Sequence, residues 1–139
     1  MREILFRGKR SGIIDHENDG EWAEGCYFEI NGQSLIMTDD HRALAVDPST
    51  VGQYTGLTDK NGKKIFEGDI VDITQYDNVY HKAYRCCRSI VFFSNFAFRT
   101  NAAPEYEDEE PLSYWLWHDC DFEVIGNVHD NPELLEDKP

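Results

Sequence analysis

Residues Asp15-His16-Glu17-Asn18-Asp19-Gly20 set oxygen-bearing side chains at alternating positions ahead of a sixth-place glycine, the opening pattern of a calcium loop. Such a loop closes with a bidentate glutamate, and the residue at that position here is Cys26. The last ligand is missing, so a turn rich in acids is the better account. Asp59-Lys60-Asn61-Gly62 departs further from the pattern, because its glycine comes fourth. The four cysteines, Cys26, Cys86, Cys87 and Cys120, contain no C-x-x-C pair of the kind structural zinc sites use. Cys86 and Cys87 are adjacent, and on a regular strand they would face opposite ways. Reduced thiols packed as small hydrophobes are the expected state. The five histidines (His16, His41, His81, His118, His129) are dispersed. His118 and Cys120 could share one side of a strand, but Asp119, Asp121 and Glu123 oppose the thiolate a nucleophile needs. The sequence has no G-x-S-x-G, phosphate loop or H-E-x-x-H. The expectation is a protein that is not an enzyme, with no catalytic residues, no metal ligands and no cofactor. The opposing reading is a metal-dependent hydrolase built from scattered acids and histidines.

Two other features point to binding. Tyr114-Trp115-Leu116-Trp117-His118 is the richest aromatic stretch, and alternation puts Trp115 and Trp117 on one face. Tryptophans are enriched at interface hot spots, so Trp115, Trp117 and Trp22 are the expected contact residues, opposed by a strand that the protein itself covers on both faces. The other feature is charge. Of 139 residues, 27 are acidic and 13 basic, for a formal net charge of −14. Residues 1–100 hold 15 acids and 12 bases, whereas residues 101–139 hold 12 acids and only Lys138. The densest run is Glu105, Glu107, Asp108, Glu109 and Glu110. With no opposing basic patch, direct nucleic-acid binding is disfavoured. The run reads as a solvated loop and as the place to meet a basic partner. A sharper alternative makes it a nucleic-acid mimic that inhibits a host DNA-binding protein.

The elements that would carry these residues are short strands. Glu3-Ile4-Leu5-Phe6-Arg7 reads as a strand, and Asp19-Gly20 suggests a hairpin between residues 12–15 and 21–30. Asn31-Gly32 should join Tyr27–Ile30 to Ser34–Met37, and Asn61-Gly62 should turn the backbone between Thr55–Leu57 and Lys64–Phe66. Asp47-Pro48-Ser49-Thr50 interrupts the ladder. Five further strands follow at Asp69–Thr74, Ser89–Phe93, Asn95–Arg99, Ser113–Trp117 and Phe122–Val128. The one helix signal is Asn131-Pro132-Glu133-Leu134-Leu135-Glu136, with Asn131 as cap and Pro132 first. Eighteen aromatics call for a packed core. No apolar run approaches the ~18 residues of a membrane span or resembles a signal peptide, so no membrane association is expected.

Three segments together carry a family resemblance: Met1–Lys9, Gly52–Val71 (GQYTGLTDKNGKKIFEGDIV) and Glu123–Leu135 (EVIGNVHDNPELL). They resemble the phage YopX protein family, in order and across nearly the whole sequence, and more weakly between about Gln75 and Tyr114. The resemblance implies a small β-rich phage or prophage protein, cytoplasmic in its bacterial host. It also implies an SH3-like C-terminal barrel and a tendency to self-associate, and it brings no particular reaction with it. Glycine at 62 and 68 and a turn bond from Asp69 explain part of the motif physically, with Tyr54 and Phe66 closing contact between two subdomains. The architecture expected is mainly β. A hairpin subdomain (1–66) packs on a small SH3-like five-stranded barrel (67–139) ending in a short helix. The function expected is a non-enzymatic module that forms homo-oligomers and docks a host or phage protein.

Overall fold

The computed structural model describes residues 3–11, 19–77, 82–94, 97–100, 110–111 and 120–135. The protein divides into two compact units, Met1–Gly56 and Leu57–Pro139. It is mainly β, and all its strand pairings are antiparallel among the described residues. Among the same residues no helix is long and apolar enough to cross a membrane.

The first unit contains β1 (Phe6–Lys9), β2 (Trp22–Ile30), β3 (Gln33–Met37), β4 (Ala43–Ala45), a 3-10 turn at Pro48–Thr50 and most of β5 (Gly52–Thr58). Its strands run in the order β4-β3-β2-β1-β5, and β6 (Lys64–Phe66) follows in sequence. β2 organises the unit by changing partners midway. Its first half, Trp22 to Gly25, pairs with β1, and its second half, Cys26 to Ile30, pairs with β3. The Asp19-Gly20 turn leads into the half of β2 that pairs with Phe6–Lys9, and residues 12–15, the expected hairpin partner, lie outside the described residues. Arg10 N–H donates to the Glu21 carbonyl at 2.7 Å, so the β1–β2 ladder reaches the turn from the β1 side.

The Asn31-Gly32 hairpin forms as read. Both residues have positive φ (51° and 78°), the type I′ geometry that matches strand twist. Alternation then decides the faces. Ala23 in β2 and Ser34 and Ile36 in β3 point inward, and Ala23, Ile36 and Val46 form the core with Phe6, Tyr27, Leu44 and Val51 against it. Buried Ser34 is satisfied by the Tyr27 hydroxyl at 3.1 Å, which also donates to Glu29 Oε1 at 2.6 Å. Asp47 closes the 3-10 turn by accepting the Ser49 N–H at 3.0 Å.

The second unit contains β6, β7 (Asp69–Asp77), β8 (Lys82–Ser94), β9 (Ala97–Thr100), β10 (Glu110–Pro111) and β11 (Cys120–Asn127), and it ends in a 3-10 turn at Pro132–Leu135. The sheet order is β10-β9-β8-β7-β11. Val71 and Ile73 alternate inward on β7 and meet Ile65, Val91, Cys120 and Phe122, flanked by Leu57, Phe98 and Val124. Two register shifts bend the long central strands: one at Ile73/Thr74 in the β7–β8 ladder, the other at Val124/Gly126 against β7. The first leaves Cys86 unpaired between Cys87 and Arg85 in the backbone ladder.

One expectation is corrected here. A closed barrel does not form among the described residues, where no ladder joins the edge strands β10 and β11. β10 has only two residues and ends in proline, which lacks the donor a further ladder needs. The expected short terminal helix is present as a 3-10 helix over Pro132–Leu135. The Asn131 backbone carbonyl accepts the Leu134 N–H at 3.1 Å, and its carboxamide oxygen accepts the Asn127 N–H at 3.3 Å. The expected strand at Ser113–Trp117 lies outside the described residues.

Candidate functional site

The motif segments around residues 52–71 and 123–135 are far apart in sequence and adjacent in the fold. Asp69 pairs with Asn127 and Ile70 with Gly126 where β7 meets the end of β11. The β6–β7 turn depends on Gly68, whose φ of 89° is costly for any residue with a Cβ. Gly68 N–H donates to the Val91 carbonyl at 2.8 Å, and its own carbonyl accepts from Val128 N–H at 2.9 Å. Asp69, 1% exposed, accepts the Phe66 N–H at 2.7 Å, the turn bond its sequence position suggests.

Asp59 works at longer range. One carboxylate oxygen accepts the N–H groups of Asn61 and Lys63, each at 2.9 Å. The other accepts Val124 N–H at 2.9 Å, and Lys60 N–H donates to the Phe122 carbonyl at 3.0 Å. The loop between β5 and β6 is thereby clamped to β11. Burial opposes ionisation of Asp59, but the Val124, Lys63 and Asn61 amides and the Lys63 charge outweigh it and hold the pKa below the ordinary carboxylate value.

The C-terminal segment is held by side chains. Asn127 accepts the N–H groups of His129 (3.0 Å) and Asp130 (2.9 Å), and its amide donates to Asp130 Oδ2 at 3.2 Å. Arg88 Nε donates to Asp72 Oδ1 at 2.9 Å across the β7–β8 ladder, while Nη1 donates to the Leu134 carbonyl at 3.1 Å. Both ends of the ion pair are mostly buried, at 20% and 17% side-chain exposure. Replacing Arg88 with Ala removes the cross-strand pair and the tether on the 3-10 turn together. The expected result is a loss of about 2 kcal/mol, with faster amide exchange at residues 128–135. Lysine at 88 should recover part of the stability but not the exchange protection, because its single ammonium lacks the planar fork.

The carboxylates at this junction bind backbone amides, which is the work of a structural clasp. Among the described residues, no three His, Cys, Asp or Glu side chains are grouped to hold a metal ion.

The residues singled out from the sequence are placed unevenly. Trp22 is half-buried in β2, with the Arg7 guanidinium 4.6 Å from its ring centroid and Lys9 Nζ at 5.8 Å. Trp115, Trp117, Glu105, Glu107, Asp108 and Glu109 lie outside the described residues. The backbone of Glu110 pairs with Thr100. Of the acidic loop at 15–20, only Asp19 and Gly20 are described, as a turn ahead of β2. Cys120 is buried beside Phe122, and Cys26 is exposed.

Sequence reading missed the outer face of the β2–β3 hairpin. Cys26 pairs with Met37 and Phe28 with Leu35, and Ile30 ends the strip at the turn. Ile30 is 53% exposed and Met37 36% exposed. The signal was available, because β2 and β3 carry apolar residues in both alternating registers, not in one.

Residues 7–136 match the family described as YopX protein. The chain belongs to the YopX protein family. The match takes in the clasp formed by Asp59, Gly68, Asp69 and Asn127. The chain is also similar to the crystal structure of protein EF1440 from Enterococcus faecalis, at 23% identity and a TM-score of 0.48. That alignment covers 97% of this chain and 99% of the other. None of the curated proteins matches it.

Proposed function

We propose that this member of the YopX protein family is a non-enzymatic binding module that associates with a second copy of itself through the outer face of the β2–β3 hairpin. The observation that carries the reading is the strip of Cys26, Phe28, Ile30, Leu35 and Met37, apolar on a face that leaves Ile30 and Met37 exposed. Charge supports a second copy meeting there. At a net charge of −14, two copies repel through their acidic surfaces, so self-association needs an uncharged patch. An isologous contact sets the strip against itself and covers it on both copies. In the same reading the second unit is an open relative of the SH3-like barrel, with bulged β7, β8 and β11 as its bent strands. The setting is the cytoplasm of a phage-carrying bacterium, and the acidic run from Glu105 to Glu110 is left to meet a basic host or phage protein.

The test is solution mass by light scattering for the parent protein and for Ile30→Lys combined with Met37→Lys. Both positions are exposed, so the fold should survive, as checked by circular dichroism. The expected outcome is a dimer for the parent and a monomer for the variant. A folded variant with the parent's mass sinks the reading.

A further inference from the structure

The sequence contains two Asn-Gly pairs, Asn31-Gly32 and Asn61-Gly62, and both asparagines are exposed. Asparagine before glycine is chemically labile when the glycine nitrogen can reach the side-chain amide carbon. The two pairs differ in how firmly hydrogen bonds hold the backbone around the glycine nitrogen.

At the second pair, the backbone is tied down on both sides of the reacting atoms. Asn61 N–H donates to Asp59 Oδ1 at 2.9 Å, and Gly62 N–H donates to the Asp59 carbonyl at 3.0 Å. Lys63 N–H, just beyond, donates to the same carboxylate at 2.9 Å. Asp59 is itself buried and bound to Val124. Attack by the Gly62 nitrogen would break its bond and pull the neighbouring amides away from a buried carboxylate. At the first pair, the loop has only two residues, and no other described residue accepts a hydrogen bond from the Gly32 N–H. A side chain built at either Gly32 or Gly62 would meet nothing within 4 Å, so both tips are open to solvent and base, and the difference between them lies in the hydrogen bonds that tie the second.

We propose that Asn31 is a site of spontaneous deamidation and backbone isomerisation in the folded protein, and that the Asp59 clasp protects Asn61 from the same reaction. In the first step the Gly32 nitrogen gives its proton to base and bonds to Asn31 Cγ. The bond between Cγ and the amide nitrogen of Asn31 breaks, and that nitrogen leaves as ammonia after taking up a proton. The product is a five-membered cyclic imide. Water then opens the imide at one of its two carbonyls. One opening leaves aspartate; the other leaves isoaspartate, with an added methylene in the backbone. No oxidant or reductant is involved. Either product puts a carboxylate next to Ile30, and isoaspartate lengthens a turn whose type I′ geometry holds two residues of ordinary backbone.

The experiment incubates the full-length protein at mildly alkaline pH and follows both peptides by mass spectrometry, scoring the small mass gain of amide-to-acid conversion and the isoaspartate content. A parallel sample is kept in denaturant. The expected result is conversion of Asn31 about tenfold or more faster than Asn61 in the folded protein, with the two rates drawing together in denaturant. Asp59→Asn, which weakens the clasp while keeping a side chain of the same shape, should raise the Asn61 rate and leave the Asn31 rate unchanged. Equal rates in the folded parent overturn the proposal. So does an Asn31 peptide that stays unmodified while the denatured sample converts.

Discussion

Gly25→Ala is expected to be the most damaging single substitution in the first unit, at roughly 3 kcal/mol or more. Gly25 is the last residue of β2 to pair with β1, and Cys26 is the first to pair with β3. At this crossing the strand passes so close to the end of β3 that a Cβ would overlap the Met37 carbonyl oxygen and lie 2.7 Å from the carbonyl carbon. Both atoms belong to backbone, so no side-chain rotation relieves the overlap. Either β3 withdraws, losing the Cys26–Met37 pair and the burial of Ile36, or β2 unbends and releases β1. Gly32→Ala is the control. It meets no neighbour within 4 Å and carries only the penalty of a positive φ, about 1 kcal/mol. Urea unfolding of both variants, with amide exchange read at residues 22–37, measures the difference. Equal midpoints would mean that β2 and β3 separate without cost.

Asp59→Ala should be the corresponding lesion in the second unit, costing roughly 3 kcal/mol, because three backbone N–H groups lose a charged acceptor at once. Val124 matters most, since it lies inside the β7–β11 ladder next to buried Phe122. The substitution also has a pH signature. The folded state holds the Asp59 pKa below its ordinary value. Its contribution is therefore complete above the unfolded pKa, near about 4, and is lost as pH falls through the lower, folded value. Parent and Asp59→Asn should differ most at neutral pH and converge as the solution is acidified below about pH 4. A series of urea midpoints across that range reads the effect directly. A gap that stays constant to low pH would show that the carboxylate's charge is not what holds Val124.

Some of this was legible from local sequence. Asn31-Gly32 specified its turn because two adjacent positive φ angles are tolerated by few residue pairs. The Asp69 bond to Phe66 spans three residues and was readable for the same reason. Asp19-Gly20 was read as a turn and is one, while its expected partner strand at 12–15 lies outside the described residues. Asp59 was weighed only as a metal ligand. Its decisive partner, Val124, lies 65 residues away, and no local pattern announces a bond of that length. The outer strip on β2 and β3 was visible as apolar letters, but which alternating register faces the core depends on what packs beneath it.

By itself, then, the sequence determined the β-rich class, the positions of most strands and turns, the acidic charge and the family. Periodicity, turn chemistry and composition act over a few residues and survive being read one at a time. Only the tertiary structure decided that β2 switches partners at Gly25, that the described sheet of the second unit stays open at a proline-ended edge, and that Asp59 and Asn127 clasp segments distant in sequence. Those outcomes depend on which backbone amides and carbonyls meet across long loops. Any strand offers the same donors and acceptors, so the choice among partners is made by packing.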